Sequence, residues 1–249
     1  MKRLFYKKII LLAVIIVFIS NANAQETVFD RIFFEGFADM GSIMADNPAS
    51  TAITVSGIAL ISYGIMKNDK WMLESIQGLE NDFWKNTFEC ANYFGDGIFV
   101  LAANSFFFLG GEKEKDTAEK VIEAIAIAGT VAYGIKMTAG RSRPSVADNP
   151  YIYNLFTFDD MSMPSGHTAV AFAWASVVGD QYDIGHITYP AAALVGLARV
   201  YKNKHWLSDV LIGAAIGTLA GKTAAERPEI DIQGGIYEGN ANLMLSWKY

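Results

Sequence analysis

One cysteine and three histidines in 249 residues leave little room for several common kinds of chemistry. A lone Cys90 excludes an internal disulfide, so stability must come from packing or from a surrounding membrane. Cys90 itself reads as a small buried apolar residue. No metal-ligand pattern accompanies the few histidines, so neither a metal nor another cofactor is expected. Charged residues make up only 18% of the chain and the net charge is −6. That balance lacks the basic face that nucleic-acid binding requires. Alternation of the strand type is also missing over most of the length.

What is present is apolar and helical. Met1-Lys2-Arg3 with Lys7-Lys8, an apolar run from Ile9 to Ile19 and Ala22-Asn23-Ala24 have the form of a signal peptide over 1–24. Its removal would deliver the rest to the cell envelope, on the periplasmic side. The remaining length suits a single domain, expected over 25–228. Apolar segments at 53–66, 97–110, 118–136, 167–179, 187–200 and 208–221 predict an all-α bundle of about six core helices. Between the first two, Leu73, Ile76, Leu79, Phe83 and Phe88 recur at helical spacing among charges and predict one or two amphipathic helices. Gly110-Gly111 followed by Glu112 to Asp116 reads as a solvated turn, and the irregular stretch from Ser145 to Met163 as a lid. Alternating apolar residues in the tail, 229–249, suggest a short β-hairpin.

Hydropathy alone does not separate a buried bundle from a membrane-embedded one. A span needs about 20 apolar residues, and several windows reach only twelve before a titratable group intervenes. With the leader exported, three crossings would also return the stretch from Lys136 to His167 to the cytoplasm. These two points favour a soluble or peripheral bundle, with membrane association still open. The oligomeric state is not legible.

The chemistry is concentrated in three clusters: Lys136 with Arg143-Pro144, then Pro164-Ser165-Gly166-His167, then Arg199 with His205 and Asp209. Lys136, Arg143 and Arg199 supply positive field for an oxyanion, with Arg offering a planar fork and Lys a point charge. Ser165 can donate a hydroxyl, and Gly166 lets backbone amide approach the anion closely. His205 is the candidate nucleophile. Asp209, one helical turn on, is the candidate acceptor that fixes its tautomer. His167 is then the acid for the leaving group and the base for water. Taken singly, each charge would more often be a solvated helix-end residue, and His186 and Arg141 keep that ordinary reading. Trp206 is read as core or rim, with a place at the entrance open.

In order and spacing, the three clusters resemble the signature of the type 2 phosphatidic acid phosphatase superfamily, which also contains nonspecific acid phosphatases and vanadium-dependent haloperoxidases. The resemblance covers residues 136 to 209 and departs from the pattern at Ala198, where Ser is usual. It implies a helical bundle, the same assignments for His205, His167 and Asp209, and phosphate binding by Lys136, Arg143, Ser165, Gly166 and Arg199. The expected substrate is a phosphorylated lipid or a small phosphate ester or anhydride, cleaved through a phosphohistidine without a metal. Alternatives are a soluble periplasmic acid phosphatase, a haloperoxidase holding vanadate on His205, and an inactive phospholipid-binding module.

Overall fold

The computed structural model describes Ala45 and residues 48–157, 161–226, 229–237 and 240–248. The expected signal peptide and the Phe-rich stretch after it lie outside these residues. Among the described residues, eight α-helices have assigned bounds, in order: α1 Pro48–Met66, α2 Asp69–Gln77, α3 Asp82–Tyr93, α4 Gly97–Asn104, α5 Glu112–Ala139, α6 Gly166–Tyr182, α7 Gly185–Tyr201 and α8 Leu207–Ala225. A 3₁₀ segment, Ser105–Leu109, extends α4. Two antiparallel strands, β1 Glu229–Tyr237 and β2 Asn240–Lys248, close the chain and pair from Glu229 with Lys248 to Tyr237 with Asn240.

Local chemistry sets the helix ends. Asn81 caps α3 by accepting from the Trp84 amide, and Asp96 caps α4 by accepting from Ile98 and Phe99. The charged run after Gly111 is the first turn of α5 and not a solvated loop: Glu114 reaches back to the Gly111 amide, and Glu112 and Glu114 complement the helix dipole. At the other end, Gly140 adopts φ +54° and returns its amide to Lys136. A Cβ there would lie 1.7 Å from the Asn154 carbonyl oxygen, so only glycine ends α5 this way.

The core lies where α6 packs among α5, α7 and α8, with Val121, Ile127, Ala173, Val177 and Ala224 fully buried or nearly so. Gly213, Gly217 and Gly221 form a stripe on α8, where added Cβ atoms would come within 2.5 Å of Ser165, Ala169 and Ser176 atoms. The stripe lets the α8 backbone lie directly against α6. This contact locks the start of α8 to the turn before α6, and the Ser165 amide donates to the Asp209 carbonyl across it at 3.0 Å.

The helices alternate in direction. The carboxyl ends of α1, α5 and α7 and the amino ends of α4, α6 and α8 gather at one end of the bundle. Met66 there meets Tyr151 and Tyr153. The opposite end holds the start of α5, where Glu114 and Lys113 meet Tyr182 at the end of α6. Pro48 and Ala225 also fall at that opposite end.

Candidate active site

All three sequence clusters converge on the end where α5 and α7 stop and α6 and α8 begin. Lys136, in the last turn of α5, donates from Nζ to the Met161 carbonyl at 2.8 Å. A Cβ on Gly166 would lie 3.9 Å from Lys136 Cε, which places that lysine over the first residue of α6. Lys136, Arg143 and Arg199 interact electrostatically with one another, and Lys136 and Arg199 also with both His167 and His205. Arg199 projects from the last turn of α7 and is held by Asn92 on α3, whose Oδ1 accepts from Nη1 at 2.6 Å. Its Nε is buried and donates to nothing. Ser165 is fully buried and its Oγ accepts from Thr168 at 2.8 Å.

His205 lies in the short connection between α7 and α8, 3% exposed. Its Nδ1 is 3.9 Å from Asp209 Oδ2, beyond hydrogen-bond length, and is otherwise unpartnered. Burial, only partly opposed by Asp209, pulls the His205 pKa down to about 4. The ring is therefore neutral near pH 7, with Nε2 the nitrogen left for other contacts.

Asp209 is held much more tightly by other groups. It accepts from Arg141 Nη1 at 2.5 Å, from Ser162 Oγ at 2.6 Å and from the Trp206 amide at 2.9 Å. The last bond is the cap that starts α8. Arg141, read from sequence as an ordinary solvated charge, is 0% exposed. Its guanidinium spans Asp209, Ser208 Oγ at 2.7 Å and Asp69 Oδ2 at 2.9 Å, while Nε donates to the Pro150 carbonyl. Burial opposes the Arg141 charge, but Asp209, Tyr153 and Asp69 together raise its pKa. Asp69 is pushed the other way: burial lifts its pKa more than Ser208 and Arg141 lower it.

Sequence reasoning missed Asp69, Asn92, Arg141, Ser162 and Ser208. Arg141 carried one signal, its place beside Gly140 two residues before Arg143. Asp69 and Asn92 carried none, because only the tertiary fold brings α2 and α3 to this end. Three further readings are decided by the structure. Trp206 is 1% exposed and donates from Nε1 to the Ser142 carbonyl, so it is core and does not line an entrance. The stretch assigned as a lid is anchored at its carboxyl end, because Ser162 is fully buried and bonded to Asp209, and its amide donates to Arg141. Cys90, expected in the core, is exposed.

The residues from 118 to 226 match the family model of the PAP2 superfamily. A lipid A 1-phosphatase of Porphyromonas gingivalis is 36% identical over 104 residues, covering 39% of this chain and 21% of the relative. One of Rhizobium etli is 26% identical over 148 residues, covering 50% of this chain and 62% of the relative. The chain thus spans about a fifth to three-fifths of the length of these curated relatives. Among solved structures, Aquifex aeolicus LpxE is similar at 27% identity with a TM-score of 0.52, over 61% of this chain and 91% of that one. A transmembrane PAP2 type phosphatidylglycerolphosphate phosphatase from Bacillus subtilis shares the fold at 17% identity and the same TM-score, over 68% of this chain and 91% of that one. The matched stretch contains every residue of the three clusters, and over it the chain is similar to the PAP2 superfamily.

Proposed function

We propose that the protein is a membrane-associated lipid phosphatase that hydrolyses a terminal phosphate ester or anhydride through a phosphohistidine. The observation that carries this reading is the assembly of Lys136, Arg143, Arg199, His167 and His205 at one end of a bundle whose outer surface is apolar. Leu60, Phe106 and Leu109 are each more than 70% exposed, and Ile187 is 58% exposed. Apolar surface on this scale marks contact with lipid or a partner. On α6, α7 and α8 the Asp, Lys and Arg side chains fall only in the first or last turns. Helix α5 is long and apolar enough to cross a membrane. These features tip the balance away from the soluble bundle expected from hydropathy.

The geometry supports the following chemistry. A phosphomonoester carries close to two negative charges, and its transition state spreads charge over three oxygens, so positioned cations are the main catalytic resource. Lys136, Arg143 and Arg199 surround the phosphoryl group, with the amino end of α6 adding favourable potential. His205 Nε2 attacks phosphorus in line, forming the N–P bond as the P–O bond to the leaving group breaks. His167 protonates the departing oxygen. It then removes a proton from water as that water attacks phosphorus, the N–P bond breaks, and phosphate leaves. Asp209, fixed by Arg141 and Ser162, closes on Nδ1 as positive charge grows on the imidazole.

The relatives' names make a lipid A 1-phosphate the first substrate to test. Purified protein in micelles should release phosphate from at least one of a lipid A phosphate, phosphatidate, phosphatidylglycerol phosphate and polyprenyl pyrophosphate, faster than from a soluble aryl phosphate. A preference for the aryl phosphate would favour a nonspecific acid phosphatase. No release from any of them would sink the reading.

A further inference from the structure

A cavity of about 600 Å³ opens beside the candidate active site, between α3, α4, α6 and α7. Its walls are apolar, with Cys90, Phe99, Ala171, Trp174, Ala191 and Val195 among them, and no charged side chain contributes. The position of this cavity follows from helix periodicity. On α6, His167, Ala171 and Trp174 fall at i, i+4 and i+7, one continuous stripe. On α7, Thr188, Ala192, Val195 and Arg199 form the matching stripe. Each stripe therefore begins at a residue of the phosphate pocket and continues, one turn further along the bundle, as cavity wall. Alanines at these positions make the hollow, since larger side chains would fill it. Gly95 sits at the junction, where an added Cβ would come within 2.8 Å of both Val195 Cγ1 and His167 Cβ. Asn92, one residue group earlier on α3, holds Arg199 at the same rim.

We propose that this cavity is the slot for the hydrocarbon chain of the substrate whose phosphate is cleaved. The inference rests on the phosphatase reading above and adds to it a chain-binding subsite built from α3, α4, α6 and α7. An uncharged slot cannot hold a second polar headgroup, because a buried unpaired charge is too costly. Its continuity with Arg199 and His167 favours a chain covalently attached to the phosphate over a bystander lipid. From Thr188 to Val195 the slot follows α7 for roughly 10 Å at 1.5 Å per residue, with Arg199 one turn beyond, a length that suits an extended alkyl chain.

The test uses the full chain in nanodiscs and a series of alkyl phosphates of four to ten carbons. Each buried methylene is worth at most about a fourfold gain, and competition from bilayer lipid reduces it, so kcat/KM should rise at least tenfold across the series. Filling the slot with Ala191→Trp or Cys90→Trp should cut that rise below threefold. Ala193→Trp, on the exposed face of α7 outside the lining, should leave the full rise. An unchanged chain-length rise in both filled variants would overturn the proposal. A second readout needs no turnover: alkylation of Cys90, the chain's only cysteine. A decyl phosphonate should slow it at least fivefold, whereas butyl phosphonate and decanol should not. Equal protection by decanol would show a site for bystander chains and overturn the assignment, as would protection by none of the three. If no alkyl phosphate is hydrolysed but decyl phosphonate alone protects Cys90, the slot stands and the phosphatase reading fails.

Discussion

Arg141 is the countercharge for two carboxylates that no solvent reaches, so removing it should be more damaging than removing either partner. Asp69, Arg141 and Asp209 are each 0% exposed. Breaking a buried pair by deleting one member costs about 3–5 kcal/mol, because a charge is left without compensation. Asp69→Ala leaves Arg141 paired with Asp209 and should cost about 3 kcal/mol, at the lower end of that range. Arg141→Met strands both Asp69 and Asp209 and should cost about 5 kcal/mol. In a chain of this size 1 kcal/mol moves Tm by roughly 2–4 °C, so the expected losses are about 6–12 °C and about 10–20 °C. The double variant Asp69→Ala with Arg141→Met removes one stranded carboxylate and should be more stable than the sum of the two single changes predicts, by about 2 kcal/mol. Thermal unfolding in detergent micelles, followed by tryptophan fluorescence, reads these values, with Trp206 bonded next to the network at Ser142. Shifts below 3 °C for both single variants, or strict additivity in the double, would refute the reasoning.

His205, with its pKa lowered to about 4 by burial, takes a proton more readily in the unfolded chain than in the folded one. Stability should therefore fall as pH drops from about 6.5 to about 4, by about 3 kcal/mol from His205 alone, with His167, also lowered to about 4 by burial, acting in the same direction, and a pH series of Tm values that is flat in this window would contradict the burial. Gly217→Val should lower Tm by more than 5 °C, since a Cβ there would lie 2.2 Å from the Ala169 carbonyl oxygen; unchanged stability would show that α6 and α8 are further apart. The site and the end of α8 lie at opposite ends of the bundle, so in sealed vesicles of a Cys90→Ala background, Lys204→Cys and Glu226→Cys should react with an impermeant thiol reagent from opposite sides. Labelling of both from one side would exclude a bundle that crosses the membrane.

The parts of the fold that were legible in sequence are those encoded by short-range chemistry. The apolar windows located the six core helices to within a few residues, except where a capping interaction moved a boundary, as Glu114 did for α5. The three clusters were legible because their residues are rare in this chain and closely spaced. The support behind them was not. Asp69 lies far from Arg141 in sequence and meets it only because α1 delivers α2 to the site end. Asn92 reaches Arg199 for a similar reason, through the packing of α3 on α7. Cys90 misled because burial was inferred from residue type, whereas the actual surface of the bundle is itself apolar.

The central claim is that His205 forms a covalent bond to phosphorus, and trapping that intermediate tests it most directly. Rapid acid-free quenching of the protein during turnover of a lipid substrate labelled with radioactive phosphate should leave acid-labile label on the polypeptide. His167→Ala should increase the labelled fraction by slowing attack of water, and His205→Ala should abolish it together with phosphate release. Undiminished turnover or labelling in His205→Ala would contradict the account.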